Sequence, residues 1–208
     1  FRLSYRASSY SSQQDQTLQY SGFENIILGG SSSSRNQGPD VFIALDGVSE
    51  VRGYGGVNDR LYANWEDTDQ AITMTEISAN VWQYSTGLIA DNVSNHYIRT
   101  GSGADVLEVT GKVYTHGGRD TVMLHGGYAE TDAGRDTVIF STYSIYQSNS
   151  ADLGAGNDTL IALISGGTAS GGEGHDSASI RVKQWSYEDE EGTVIAVNSW
   201  DSAQLLKQ

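Results

Sequence analysis

An all-β fold is predicted for this 208-residue chain: a right-handed parallel β-roll or β-helix with irregular N-terminal coils and a C-terminal capping hairpin. Three observations predict it. The segment Gly118-Arg119-Asp120-Thr121-Val122 returns sixteen residues later as Gly134-Arg135-Asp136-Thr137-Val138. Each Asp of this pattern is followed at positions two and four by apolar or small residues, the period-two signature of a strand with one buried face. The chain is rich in turn-forming Gly, at 25, while Pro occurs once and Cys not at all.

Aligned on Asp preceded two positions earlier by Gly, five copies fall in the C-terminal half. They are "TGSGADVLEV" at Asp105, "HGGRDTVML" at Asp120, "DAGRDTVIF" at Asp136, "LGAGNDTLIAL" at Asp158 and "GGEGHDSASI" at Asp176. "NQGPDVFIAL" at Asp40 is a looser sixth copy, and "GYGGVNDRLYA" at Asp59 a seventh with its Gly pair shifted by one. The steps between the five are 15, 16, 22 and 18 residues. The inward positions are Leu107 and Val109, Val122 and Leu124, Val138 and Phe140, Leu160 and Ala162, Ala178 and Ile180. A second turn signal follows each strand: Thr110-Gly111, His125-Gly126, the polar insert Ser141 to Ser150, and Ser165-Gly166. One period therefore reads loop, strand, turn, strand. Successive periods stack about 4.8 Å apart and bury collectively an apolar face that none can bury alone.

The reading divides the chain into residues 1–98, irregular β forming early coils; 99–180, the regular roll; and 181–208, a hairpin and tail. "YSGFENIILGG" and "DVFIALDGVSEVRGYGG" read as short strands and Gly turns, Ser31–Ser34 as a loop, and 64–98 as irregular β. "IRVKQWSYEDEEGTVIAVNSW" reads as two strands around an acidic Gly turn at 188–192, suited to covering an exposed sheet edge.

Charge and composition narrow the function. With 26 acids against 12 bases the formal charge is −14, which argues against nucleic acid as a partner. Without Cys there is no disulfide and no thiol chemistry. No apolar run approaches eighteen residues, so no transmembrane segment is expected. A start at Phe1 suggests a piece of a larger parent chain. No Gly-x-Ser-x-Gly, His-Glu-x-x-His or phosphate-loop motif is present, and no catalytic residue is assigned.

Stacking sets Asp105, Asp120, Asp136, Asp158 and Asp176 on one edge, one strand spacing apart. Bare carboxylates about 5 Å apart repel by about 3 kcal/mol at an effective dielectric near 20. With three Lys in the chain, and only Arg119 and Arg135 placed to help two rungs, compensation must come from elsewhere. A hard divalent cation supplies it. Ca²⁺ takes six to eight oxygens and accepts backbone carbonyls beside carboxylates, and Gly lets a loop turn its carbonyls inward. Mg²⁺ demands rigid octahedral geometry. Zn²⁺ lacks Cys, and His96, His116, His125 and His175 share no offset; they read as surface residues. The metal set read from the sequence is Gly101, Gly103, Asp105, Gly118, Asp120, Asp132, Gly134, Asp136, Gly154, Gly156, Asp158, Gly172, Gly174 and Asp176.

"GGEGHDSAS" at 171–179 matches the nonapeptide G-G-x-G-x-D-x-U-x with Ala at its apolar position, and "TGSGADVLE" and "LGAGNDTLI" lack only the first Gly. The loops at Asp120 and Asp136 keep the later Gly and the Asp but carry His116 and Asp132 where the pattern has Gly. Residues 99–180 thus resemble the β-roll of the RTX (repeats-in-toxin) family, and 20–63 do so weakly. The resemblance implies Ca²⁺ between successive loops and secretion by a type I exporter of a Gram-negative bacterium. The expectation is a Ca²⁺-binding module of a secreted protein, most simply a toxin, that folds on Ca²⁺ outside the cell. Two alternatives stand beside it: an adhesin or receptor- or glycan-binding module, and a non-catalytic module of a polysaccharide-active enzyme. Trp65, Trp82, Trp185 and Trp200 read as core or cap residues rather than as a sugar platform.

Overall fold

The computed structural model describes residues 2–6, 15–19, 26–29, 39–45, 47–54, 58–141, 148–164, 167–182, 185–188 and 194–197. Strands and turns make up all of it, and the chain winds as a β-solenoid of about seven turns.

Two faces enclose the core. On one, Val41–Ala44, Arg60–Trp65, Asn95–Thr100, the second half of Val106–Tyr114, the second half of Thr121–Glu130, Asn149–Asp152 and Gly167–Ser170 pair in parallel, each on the next. On the other, the first halves of Val106–Tyr114 and Thr121–Glu130 continue through Thr137–Ser141, Thr159–Ile164 and Ser177–Val182. Register follows the repeat: Leu107 lies beside Val122, Val122 beside Val138, and Val138 beside Leu160. Ala178, expected inward on the last coil, is exposed and Ile180 is half-buried, whereas the inward positions from Leu107 to Ala162 are buried, with Val122, Leu124 and Val138 fully so. At about 25 cal/mol per Å² of apolar surface removed from water, each such side chain contributes roughly 1.5–3 kcal/mol.

The second turn signal bends the chain without ending the strand. Val106–Tyr114 and Thr121–Glu130 each run continuously across both faces, and pairing shifts register between Val109 and Gly111. Gly111, Gly126 and Gly127 take φ of 131°, 147° and 124° there, conformations that a β-carbon resists. Ser165-Gly166 and most of the 141–150 insert lie outside the described residues, as does the loop at 31–34.

The stretch 64–98 is more ordered than its sequence suggests. Met74–Ser78 and Val81–Tyr84 form an antiparallel hairpin, Val81–Tyr84 pairs with Ile89–Asp91, and Ile89–Asp91 pairs in parallel with Val48–Arg52. Thr73 bridges to Val106, so the hairpin is inserted into a face of the coil. Tyr84 carries it into the core, where its O–H donates to His96 Nδ1 at 2.6 Å while His96 Nε2 donates to the Val93 carbonyl at 3.1 Å. His96, expected at the surface, is 3% exposed. The C-terminal segment forms the expected antiparallel hairpin, Trp185–Glu188 with Val194–Val197.

Candidate metal centre

The Asp edge is a third, narrow sheet. Gly117–Gly118, Ala133–Gly134, Ala155–Gly156 and Glu173–Gly174 pair in parallel, one pair of residues per turn. Entry into each loop requires a left-handed residue four positions before the Asp, and His116, Asp132, Gly154 and Gly172 hold φ of 54°, 52°, 84° and 82° there. Gly adopts this region freely, and Asp and His are among the residues that enter it most readily. Asp is well suited to it, and His116 and Asp132 stabilise each other across the rung, with Nδ1 and Oδ2 3.0 Å apart.

Inside the edge the aspartates form a continuous ladder. The N–H of Asp105 donates to Asp120 Oδ1, that of Asp120 to Asp136 Oδ1, and that of Asp136 to Asp158 Oδ1, each at 2.8 Å. Asp158 N–H reaches Asp176 Oδ1 at 2.9 Å, and Ile72 N–H closes the N-terminal end on Asp105 Oδ1 at 2.7 Å. Backbone bonds cross the same rungs the other way, from Thr121, Thr137, Thr159 and Ser177 to the carbonyls of Asp105, Asp120, Asp136 and Asp158. Part of the compensation that the sequence left to a cation is thus supplied by the main chain of the neighbouring turn.

At Asp120, Asp136 and Asp158 the other half of the carboxylate is not compensated. Asp105, Asp120, Asp136 and Asp158 are at most 1% exposed, and Oδ2 of Asp120, Asp136 and Asp158 has no hydrogen-bond partner. Asp105 differs because Thr100 donates its hydroxyl to Oδ2. Burial raises all four carboxyl groups above the usual range and pushes Asp120 up to about 7, against the opposing pull of their N–H donors. Thr115 and Thr131 hold the same sequence position relative to Asp120 and Asp136, but the Thr131 hydroxyl donates to the Leu153 carbonyl at 3.0 Å and Thr115 Oγ1 has no partner. The sequence carries that signal, a Thr five residues before Asp105, Asp120 and Asp136, and the motif reading passed over it.

The glycines two positions before the Asp complete the cradle. A β-carbon at Gly134 would collide with the Gly118 carbonyl and come within 2.7 Å of Asp136 Oδ1. Gly118 stands in the same relation to Gly103 O and Asp120, and Gly156 to Gly134 O and Asp158. Buried carboxylate oxygens without a partner and the backbone carbonyls of the same edge are donors of the kind a hard cation takes. Among the described residues no three carboxylate or imidazole groups converge on one point, so backbone carbonyls must supply much of any coordination.

The remaining predicted residues divide. Gly101 and Gly103 pack against the carbonyls of Thr68 and Gln70, and Gly154 and Gly172 are the left-handed loop openers. Gly174 packs against Gly156 O. Asp176 joins the ladder but is exposed, and Asp132 faces His116 instead of the buried row. Arg119 and Arg135 are exposed and make no ion pair among the described residues. Asp40 and Asp59, aligned with the ladder in sequence, lie on the opposite edge: they lead into the face that contains Val41–Ala44 and Arg60–Trp65, whereas Asp105 leads into the other. There Asp59 is fully buried, accepts the Asp40 N–H at 2.8 Å, and also leaves Oδ2 without a partner.

No family model, curated protein or solved structure matches the chain.

Proposed function

We propose that the chain is a Ca²⁺-binding β-roll module of the RTX type, part of a large secreted bacterial protein such as a toxin, and that Ca²⁺ consolidates its fold outside the cell. One observation carries the reading: a row of buried carboxylates, Asp120, Asp136 and Asp158, each with Oδ1 tied to the preceding turn and Oδ2 without a partner, on an edge where glycines are packed against backbone carbonyls. Asp120, Asp136 and Asp158, with the carbonyls of Gly103, Gly118 and Gly134, would hold the cations. Bound Ca²⁺ would neutralise the ladder and tie adjacent loops together.

Circular dichroism and thermal melting in millimolar Ca²⁺, in equimolar Mg²⁺ and in excess EDTA test this. β signal or melting temperature should fall on chelation and return with Ca²⁺ alone. A second reading is favoured by the Oδ1 bonds themselves: the carboxylates act as backbone caps and the solenoid stands without metal. Under that reading the three melting curves coincide.

A further inference from the structure

A groove of about 880 Å³, lined by none of the ladder carboxylates, opens where Val41–Ala44, Arg60–Trp65, Asn95–Thr100 and Val106–Tyr114 lie side by side. Tyr62, Trp65, Tyr97 and Tyr114 line it together with Arg99 and Lys112. The register sets these residues in two columns along the solenoid axis. One column runs Ile43, Tyr62, Tyr97, Lys112, and the other Asn64, Arg99, Tyr114. Tyr62 and Tyr97 stack with centroids 4.7 Å apart, and the Arg99 guanidinium lies 4.8 Å from the Tyr114 centroid.

We infer that this groove binds an acidic saccharide, a short uronate chain, with its carboxylates at Arg99 and Lys112 and its sugar rings against the aromatic wall. Charge is the first argument. The chain carries −14, yet two of its 12 bases occupy neighbouring rungs of one groove. The two stand on a diagonal, Arg99 opposite Tyr114 and Lys112 opposite Tyr97, so both cationic heads serve the same groove. Arg99 has an exposed ion pair with Glu66 at 3.6 Å, whereas Lys112 makes no ion pair among the described residues.

The lining is the second argument. The volume falls within the range of small-molecule sites, and the wall mixes aromatic surface with hydroxyl and amide groups from tyrosines, Asn64 and Thr86. A pyranose, with apolar C–H faces and a polar rim, matches such a wall. A peptide added as a strand does not, because the main chains of Arg60–Trp65, Asn95–Thr100 and Val106–Tyr114 are already paired with one another.

Calorimetric titration of the whole chain, at fixed Ca²⁺, with digalacturonate, a neutral disaccharide and hexaglutamate tests the inference. Digalacturonate should bind saturably, and the other two at least about tenfold more weakly, since charge-assisted bonds and ring contacts both contribute. Lys112→Gln, an exposed change, should weaken uronate binding by about tenfold without moving the melting curve. Tyr97→Ala should weaken it further. If Tyr97→Ala fails to fold, Tyr62→Phe, which keeps the stacked ring, should leave binding within a few-fold. The inference is overturned by absent uronate binding, by equal binding of hexaglutamate or the neutral sugar, or by an unchanged affinity in Lys112→Gln. No ladder carboxylate lines the groove, and holding Ca²⁺ fixed across the titrations separates these outcomes from Ca²⁺ binding at the ladder.

Discussion

Replacing Asp120 by Asn separates the two roles of the ladder carboxylate. Oδ1 of Asp120 accepts the Asp105 N–H at 2.8 Å, and the Asn carbonyl preserves that bond. What disappears is the buried charge. The carboxyl is raised from the usual 3.8 to about 7, mainly by desolvation, so at pH 8 the ionised form is carried at a cost. Three units correspond to about 4 kcal/mol. Solvent near the loop screens part of this, and about 2 kcal/mol is the working figure. Oδ2 of Asp120 and Oγ1 of Thr115 are both buried without a partner, and the Asn amide offers the hydroxyl a donor. In EDTA at pH 8, Asp120→Asn should therefore melt above the parent by roughly 4–8 °C for a domain of this size. In Ca²⁺ the order should reverse, because a ligand at a hundred times its Kd stabilises by about 2.7 kcal/mol and the variant lacks the oxygen that recruits it. Asp120→Ala is the control. It also strands the Asp105 N–H, costing about 1–3 kcal/mol in either buffer. Differential scanning calorimetry reads all three. If Asp120→Asn melts below the parent in EDTA, the argument from desolvation is refuted; if the order holds in Ca²⁺, the metal reading is.

The metal-free stability should depend on pH with two opposed limbs. Asp120, its folded pKa raised to about 7, contributes stability that is present below 3.8 and lost as pH rises through 7, whereas His96, lowered to about 4, contributes stability present above 6.5 and lost as pH falls toward 4. The two slopes oppose and largely cancel between about pH 4 and 6.5, so the test is the difference between variants: in EDTA the melting-temperature advantage of Asp120→Asn over the parent should grow as pH rises from about 4 to 7, and a pH-independent difference would contradict the assignment. Tyr84→Phe removes the donor to His96 Nδ1 and should cost about 1–3 kcal/mol in denaturant midpoint, and no loss would place that hydrogen bond among the dispensable contacts. Gly134→Ala drives a β-carbon against the Gly118 carbonyl and should destabilise by about 1–3 kcal/mol, a loss that added Ca²⁺ does not restore. Asp136→Ala breaks the ladder at its centre and should raise the Ca²⁺ midpoint for folding more than Asp176→Ala, which acts on an exposed end rung; calorimetric titration of the two variants decides the order.

The coil was legible because its information is local and repeated. Alternation after each Asp located the inward residues from Leu107 to Ala162, and the fixed Gly-Asp offset placed five aspartates in one row. Three features escaped because they depend on pairing between distant segments. The Gly-Asp pattern of Asp40 and Asp59 is the same dipeptide chemistry, but which edge it occupies is decided by whether the next strand joins Arg60–Trp65 or Val106–Tyr114. The hairpin Met74–Ser78 with Val81–Tyr84 has no repeat to betray it, and it is held by the burial of Tyr84 against His96. The aromatic groove is assembled from one residue per turn, with Tyr62, Tyr97 and Tyr114 separated by 35 and 17 positions, so no window of sequence contains it.

The ladder has a direction, and that direction bears on how the module assembles. Every carboxylate caps the N–H of the turn before it, never the turn after. A new C-terminal turn therefore satisfies its predecessor while bringing in one more amide that awaits the next. Backbone bonds from Thr121, Thr137, Thr159 and Ser177 bind each new turn to the Asp carbonyl beneath it, so every interface gains one bond of each kind. Such a stack has nearest-neighbour energetics, in which the desolvation of each carboxylate recurs at every rung and must be met at every rung. Oδ1 meets half of that cost in the same way from Asp105 to Asp176, while Oδ2 has a protein donor at Asp105 alone among the buried rungs. The N-terminal rung is thus complete with the groups the chain provides. The central rungs are those at which a cation has something to add, and the response to Ca²⁺ should be concentrated at Asp120, Asp136 and Asp158 rather than spread evenly along the edge.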